Sequence, residues 1–237
     1  MKRRHFTRIC TSIVLAAGSA STPLMAGNPG VSYQRSSLQN RSSGALKTEQ
    51  LVTGEPYLFF YPFVTTPCLL IKLDKEISAA KEAGTESWHG GVGRENSIVA
   101  YSAICSHKMS HPAKEISFIN YRHDPISFFS REEGKSVEKA GLISCCSERS
   151  VYDPSQGAKV LSGPAPHPLA AIELEYNDAT DELHAIGSYG TDVYDRFFEQ
   201  FGFRASLEHK ISDPKTPAGE TVEVQKLVDY TRQTIKC

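Results

Sequence analysis

Two short stretches carry residues able to bind a soft metal. "YSAICSHKMSHP" sets Cys105 and His107 two positions apart directly after an apolar run, and "ISCCSERSVYDP" ends another apolar run on Cys145 and Cys146. Residues two apart leaving a strand project to the same side, so Cys105 and His107 can face one point from one loop. Cys145 arrives forty residues later, at a second strand end. Thiolate with imidazole suits iron-sulfur or zinc chemistry rather than calcium or magnesium. Taken alone, Cys-x-His favours a plainer reading, with the cysteines as small buried residues.

The elements that must position these residues read as strands. "YLFFYPF", "CLLIKL", "SIVAYSAI", "EISFIN", "PISFF" and "GLISCC" are short runs rich in β-branched or aromatic residues and bounded by turn formers. In "AAIELEY" the apolar Ile172, Leu174 and Tyr176 alternate with Glu173 and Glu175, and "ELHAIGS" after the "NDATD" turn completes a hairpin. Helical spacing is confined to "DVYDRFFEQF", with Val193, Phe197, Phe198 and Phe201 on one face, and to a short stretch of the C-terminal tail. The class is mainly β in a single domain, with turn signals every ten residues or so.

Composition narrows the partners. A formal charge of −1 over 237 residues, with no block of like charge, leaves no electrostatic footprint for nucleic acid. The basic "MKRRHFTR" followed by a small, apolar segment to Gly27 reads as an export signal. Arg3, Arg4 and Phe6 give it a twin-arginine character, a receptor-read address that delivers folded proteins to the periplasm. Membrane association would come only from that segment left uncleaved. Residues 28–50, rich in Ser, Asn, Gln and Gly, read as a linker, followed by a domain over 51–190 and a C-terminal extension over 191–237.

The two stretches together resemble the two boxes of a Rieske [2Fe-2S] domain. That family carries Cys-x-His in its first box and Cys-x-x-His-x-Ser-x-Tyr/Phe-Asp in its second, then a Gly-Pro-Ala-Pro loop. Here Cys145, Ser150, Tyr152, Asp153, Gly157 and the Gly163–Pro164–Ala165–Pro166 loop fall at the family spacing, within a likeness running from about Glu55 to Ser188. In the family two cysteines hold one iron and two histidines the other. The resemblance implies Cys105, Cys145 and His107 as ligands, with Ser150 and Tyr152 donating hydrogen bonds to the cluster and its sulfur. It implies an antiparallel β-sandwich with a cluster-binding subdomain of two loops, one [2Fe-2S] cluster and a redox protein partner, either a cytochrome or an oxidoreductase subunit.

Glu148 stands where the second histidine belongs, and Ser110 and Ser147 stand where many members carry a disulfide between the two loops. The fourth donor is open among Glu148, Cys146, His111 and His123. Cys146 is disfavoured because adjacent strand residues point to opposite faces. Cys68 and Cys237 are left as a natural disulfide pair. His167 reads as an exposed loop residue, and Trp88 and His89 precede a "GGVG" turn. No nucleophile constellation is evident, so an electron carrier or oxidoreductase subunit is expected over a stand-alone enzyme. The rivals are a degenerate fold that has lost its cluster and serves as an interaction module, and a mononuclear zinc or iron site.

Overall fold

A computed structural model describes residues 30–41, 44–79, 88–190 and 192–237 of the chain. The export segment, Cys10 included, lies outside the described residues. The first part supplies β1 (Val31–Asn40), β2 (Gly44–Ala45), β3 (Pro56–Phe60), β4 (Pro67–Lys72) and β5 (Ile98–Ser102). The middle supplies β6 (Ile119–Arg122), β7 (Ile126–Phe129), β8 (Ser136–Lys139), β9 (Leu142–Cys145), β10 (Ser150–Asp153) and β11 (Lys159–Ser162). The last part supplies β12 (Ala171–Asn177), β13 (Glu182–Tyr189), helix α1 (Asp192–His209), β14 (Thr221–Lys226) and the single turn α2 (Leu227–Tyr230).

The mainly β class is what the structure shows, and its large sheet closes on itself. Strands run in the order β13-β12-β5-β4-β3-β14-β1, with β13 pairing back onto β1 and β2 flanking β1. One seam is parallel, β1 against β14, and its neighbours are antiparallel. A second sheet, β11-β10-β9-β6, carries the second box between β9 and β10, the first box follows β5 of the large sheet, and β7–β8 form a separate hairpin. No helix among the described residues is long and apolar enough to cross a membrane.

Alternation along β3 and β4 explains how the two sheets meet. Tyr57, Phe59, Cys68 and Leu70 pack into one cluster with Leu38, Leu183 and Val224, drawn from strands all round the closed sheet. Leu58, Leu69 and Ile71, pointing the other way, join Ile143, Tyr152, Cys105 and Cys145. Side chains of successive strand residues face opposite sides, so strands apolar at every position are buried on both. Leu70 is fully buried at the centre of the first cluster. We expect Leu70→Ala to lower unfolding free energy by about 2–5 kcal/mol, the range for leucine truncation in a packed core. Urea titration followed by far-ultraviolet circular dichroism measures it, and a loss under ~1 kcal/mol would show that the cluster collapses around the gap.

Two expectations are corrected. Residues 31–40, assigned to a linker, form β1, because its backbone is satisfied by β13 and β14 while only Ser36 and Leu38 need burial. Cys237 pairs with Cys146 and not with Cys68. Cys68 sits inside the closed sheet with its thiol 3.0 Å from the Tyr61 carbonyl, whereas the tail after α2 runs beside β6. The region 191–237 is also more than an appendage, since β14 lies between β1 and β3.

Candidate metal centre

Cys145 ends β9, with Ser150 of β10 and Ile119 of β6 as its register partners on either side. A tight turn over Cys146–Arg149 links β9 to β10, and Arg149 takes the left-handed conformation there (φ 57°). Cys105 follows β5 in a second turn, closed by the Cys105 N–H donating to the Ser110 carbonyl (2.9 Å) and the Met109 N–H to the Cys105 carbonyl (3.0 Å). The Gly163–Pro166 segment packs across both boxes. Gly163 has φ +81°, and a Cβ there would collide with the backbone of Arg149 and Ser150. Glycine at this position therefore lets the third loop close over the second box. The Ser106 hydroxyl ties the same loop to the first box by donating to the His167 carbonyl (2.7 Å).

The structure brings together most of the residues expected at the site. Cys105 and Cys145 are buried and outside any disulfide, in a chain that oxidises another cysteine pair. Cys105 and Cys145 pack in the same buried cluster, and the Tyr152 hydroxyl lies 3.2 Å from the Cys105 sulfur. The neighbouring Cys145 thiol outweighs burial and, with Tyr152 and the N–H groups of His107 and Lys108, lowers the Cys105 pKa to about 6. Cys145 is pushed up in turn, first by the neighbouring Cys105 sulfur and then by burial, although the Ser147 N–H and the Ser110 hydroxyl pull it down. Ser150 accepts the Ala165 N–H at 3.2 Å, which leaves its own hydroxyl hydrogen to donate.

His107 supplies the test of whether a metal group fits. Its Nδ1 is buried without a hydrogen-bond partner among the described residues. Such an orphan costs about 1–3 kcal/mol, and metal coordination would remove the cost. Two thiols in mutual contact, several N–H and O–H donors aimed at their sulfurs and an unpartnered buried imidazole nitrogen fit an iron-sulfur group on three of its four protein ligands. Among the described residues, no three His, Cys, Asp or Glu side chains converge on one point able to hold a single ion.

The alternatives for the fourth donor separate clearly. Cys146 is consumed by its disulfide, which corrects the expectation that it could swing in as a ligand. The His111 Nδ1 lies 2.7 Å from the Met109 carbonyl, and the ring is packed edge-on to Phe197 and Phe201. His123 follows the far end of β6, about 13 Å along the strand from Ile119, the partner of Cys145. Glu148 stays beside the site, but its carboxylate is ion-paired with Lys108 of the first box, and that contact lowers its pKa. His167 is exposed, as expected. Sequence reasoning missed the donor role of Ser110 toward Cys145; its only signal was a serine where the family has a disulfide cysteine.

Tyr152 offers a graded test. It is fully buried, and its hydroxyl stabilises negative charge on the Cys105 sulfur. Tyr152→Phe should leave the metal group bound and lower its midpoint potential. One hydrogen bond is worth about 1 kcal/mol, or about 40 mV for a one-electron couple, in a redox titration. An unchanged potential would remove Tyr152 from the site.

No family model matches the chain. In sequence it is 28% identical over 182 residues to the iodate reductase subunit IdrB of Denitromonas iodatirespirans, covering 76% of this chain and 80% of the relative. Among solved structures it is similar to the soluble domain of the Rieske protein II (soxF) from Sulfolobus acidocaldarius, at 24% identity and a TM-score of 0.46. That likeness spans 66% of this chain and 78% of the other. The sequence relative is thus named as a subunit of a reductase.

Proposed function

We propose that this chain is the electron-transfer subunit of an exported oxidoreductase, holding one [2Fe-2S] cluster between its two box turns. The observation that carries the reading is the buried Cys105–Cys145 pair, with the Tyr152 hydroxyl on one sulfur and the unpartnered His107 Nδ1 in the same turn. When bound, the cluster supplies a one-electron centre and the protein makes or breaks no substrate bond. Cys105 and Cys145 would hold the cluster as thiolates, and His107 would hold it through its Nδ1. Tyr152 and Ser150 donate toward sulfur and so favour the reduced, more negative state. Glu148 is the remaining donor candidate, and an anionic oxygen there would bring the potential below that of members with two histidines.

Two further observations support the partner and the compartment. The relative in Denitromonas iodatirespirans is named as a subunit of a reductase, which favours a catalytic oxidoreductase subunit as the redox partner. The Cys146–Cys237 disulfide suits an oxidising compartment such as the periplasm, in keeping with the basic and apolar start of the sequence. Metal and acid-labile sulfide analysis of the full chain, with electron paramagnetic resonance after dithionite reduction, tests the reading. Two irons and two sulfides per chain with a rhombic reduced signal are expected. Zinc without sulfide, or no metal, would overturn it.

A further inference from the structure

The region from α1 to the C-terminus touches both box turns. From α1, the half-buried Arg196 donates through Nη1 to the Ser106 carbonyl (3.2 Å) and through Nη2 to the His107 carbonyl (3.4 Å). Val193, Tyr194 and Phe197 of the same helix pack with Ile104 and Met109, which flank Cys105. Phe197 and Phe201 hold the His111 ring at centroid separations of 5.0 and 5.1 Å. Helix α1 therefore grips the first box at its backbone, its apolar floor and its far end.

The tail after α2 grips the second box. It lies alongside residues 114–120, with N–H to carbonyl bonds from Arg232 to Lys114, Ser117 to Gln233 and Ile235 to Ser117, each 2.8 Å. The Asn120 side-chain amide donates to the Ile235 carbonyl at 2.9 Å. This track ends in the Cys146–Cys237 disulfide, immediately after the ligand Cys145. The Cys146 N–H is also held, donating to the Phe118 carbonyl at 2.7 Å. Directly between the two turns runs the Lys108–Glu148 ion pair, whose lysine is largely exposed. Exposed ion pairs fix geometry weakly.

We propose that the C-terminal region is a two-ended clamp that positions the ligand turns, with Arg196 holding the first and the Cys146–Cys237 disulfide holding the second. It takes the place of a disulfide between the turns at Ser110 and Ser147. Arg196 and the disulfide are positioning groups, acting through the backbone of Ser106–His107 and of Cys145–Cys146. As a cation bonded to the backbone of a ligand residue, Arg196 also favours the reduced state. The role of the turns as cluster holders rests on the function proposed above, but the clamp itself can be read in metal-free protein.

Amide hydrogen exchange of the metal-free full chain is the test. The readouts are the Cys105 and Met109 amides for the first turn and the Cys146 amide for the second. Arg196→Gln should speed exchange at Cys105 and Met109 at least tenfold and leave Cys146 within twofold. The double variant Cys146→Ser, Cys237→Ser should do the reverse and leaves no stray thiol beside Cys145. Leu70→Ala, which weakens the fold away from the turns, is the control for general destabilisation. If it speeds the same amides as much as the clamp variants do, or if the clamp variants leave them within twofold, the proposal fails. In iron-loaded protein Arg196→Gln should lower the midpoint potential, and Arg196→Lys should recover part of the shift. Protein that shows the exchange pattern yet never takes up iron and sulfide would uphold the clamp and overturn the cluster reading alone.

Discussion

Cys145→Ser yields a folded protein that takes up no iron-sulfur cluster, the largest effect expected of any single substitution here. The residue is fully buried at the end of β9, flanked in register by Ser150 and Ile119, so nothing else can move into its place without breaking a strand. Serine is close in size, and its hydroxyl keeps a donor for the Cys105 sulfur, so the fold tolerates the change. A serine hydroxyl does not ionise near neutral pH, which leaves one thiolate where two are needed. Cys105→Ser should match it, with the added loss of the sulfur that Tyr152 addresses. Iron and sulfide per chain, visible absorption and a circular dichroism melt report both halves of the expectation. A variant retaining wild-type absorption would sink the ligand assignment, whereas an unfolded one would make Cys145 a packing residue first.

Glu148→His is the second, and its sign is opposite. At present a carboxylate lies beside the site, ion-paired with Lys108 and held below the ordinary carboxylate pKa by that contact, so it stays ionised at neutral pH. Histidine replaces an anion with a neutral group and offers the second imidazole that the family pattern carries. Both changes stabilise the reduced cluster less poorly than an anion does, so the midpoint potential rises, by on the order of 100 mV or more given the spread between anionic and two-histidine ligation. Spectroelectrochemical titration with electron paramagnetic resonance would read the shift and any move of the g-values. Glu148→Gln separates the causes, since it removes the charge without supplying an imidazole. Identical potentials for all three proteins would place Glu148 outside the electrostatic reach of the cluster.

The sequence exposed the parts of this molecule that obey a local period. The runs around Tyr57–Phe60, Cys68–Lys72 and Ile98–Ser102 are apolar at nearly every position because both of their faces are covered, and they read as strands at once. The two boxes were legible because a ligand turn must place several residue types at fixed offsets. What stayed hidden depends on pairing across long separations. β1 presents mostly Ser, Gln and Arg, so its membership in the closed sheet rests on backbone hydrogen bonds to partners about 150 and 180 residues away. The Cys146–Cys237 disulfide spans 91 residues and follows from the tail running beside β6, which no local pattern announces. Arg196 reads in the sequence as one more charge on a helix.

The insertion of β14 between β1 and β3 also dictates an order of events during folding. β3 and β4 are antiparallel neighbours close in sequence, and the β12–β13 hairpin is local too. These pieces can form early, because short loops close at little entropic cost. The ring cannot be completed until residues 221–226 are available to fill its last seam, and one side of that seam is the slower parallel kind. Until then the edges of β1 and β3 stay open, the second of them carrying Leu58 and Phe59. Unpaired edges of this kind template aggregation. Late closure thus makes the interval before β14 docks the vulnerable period in the protein's life, and it favours keeping the chain guarded until that strand is in place.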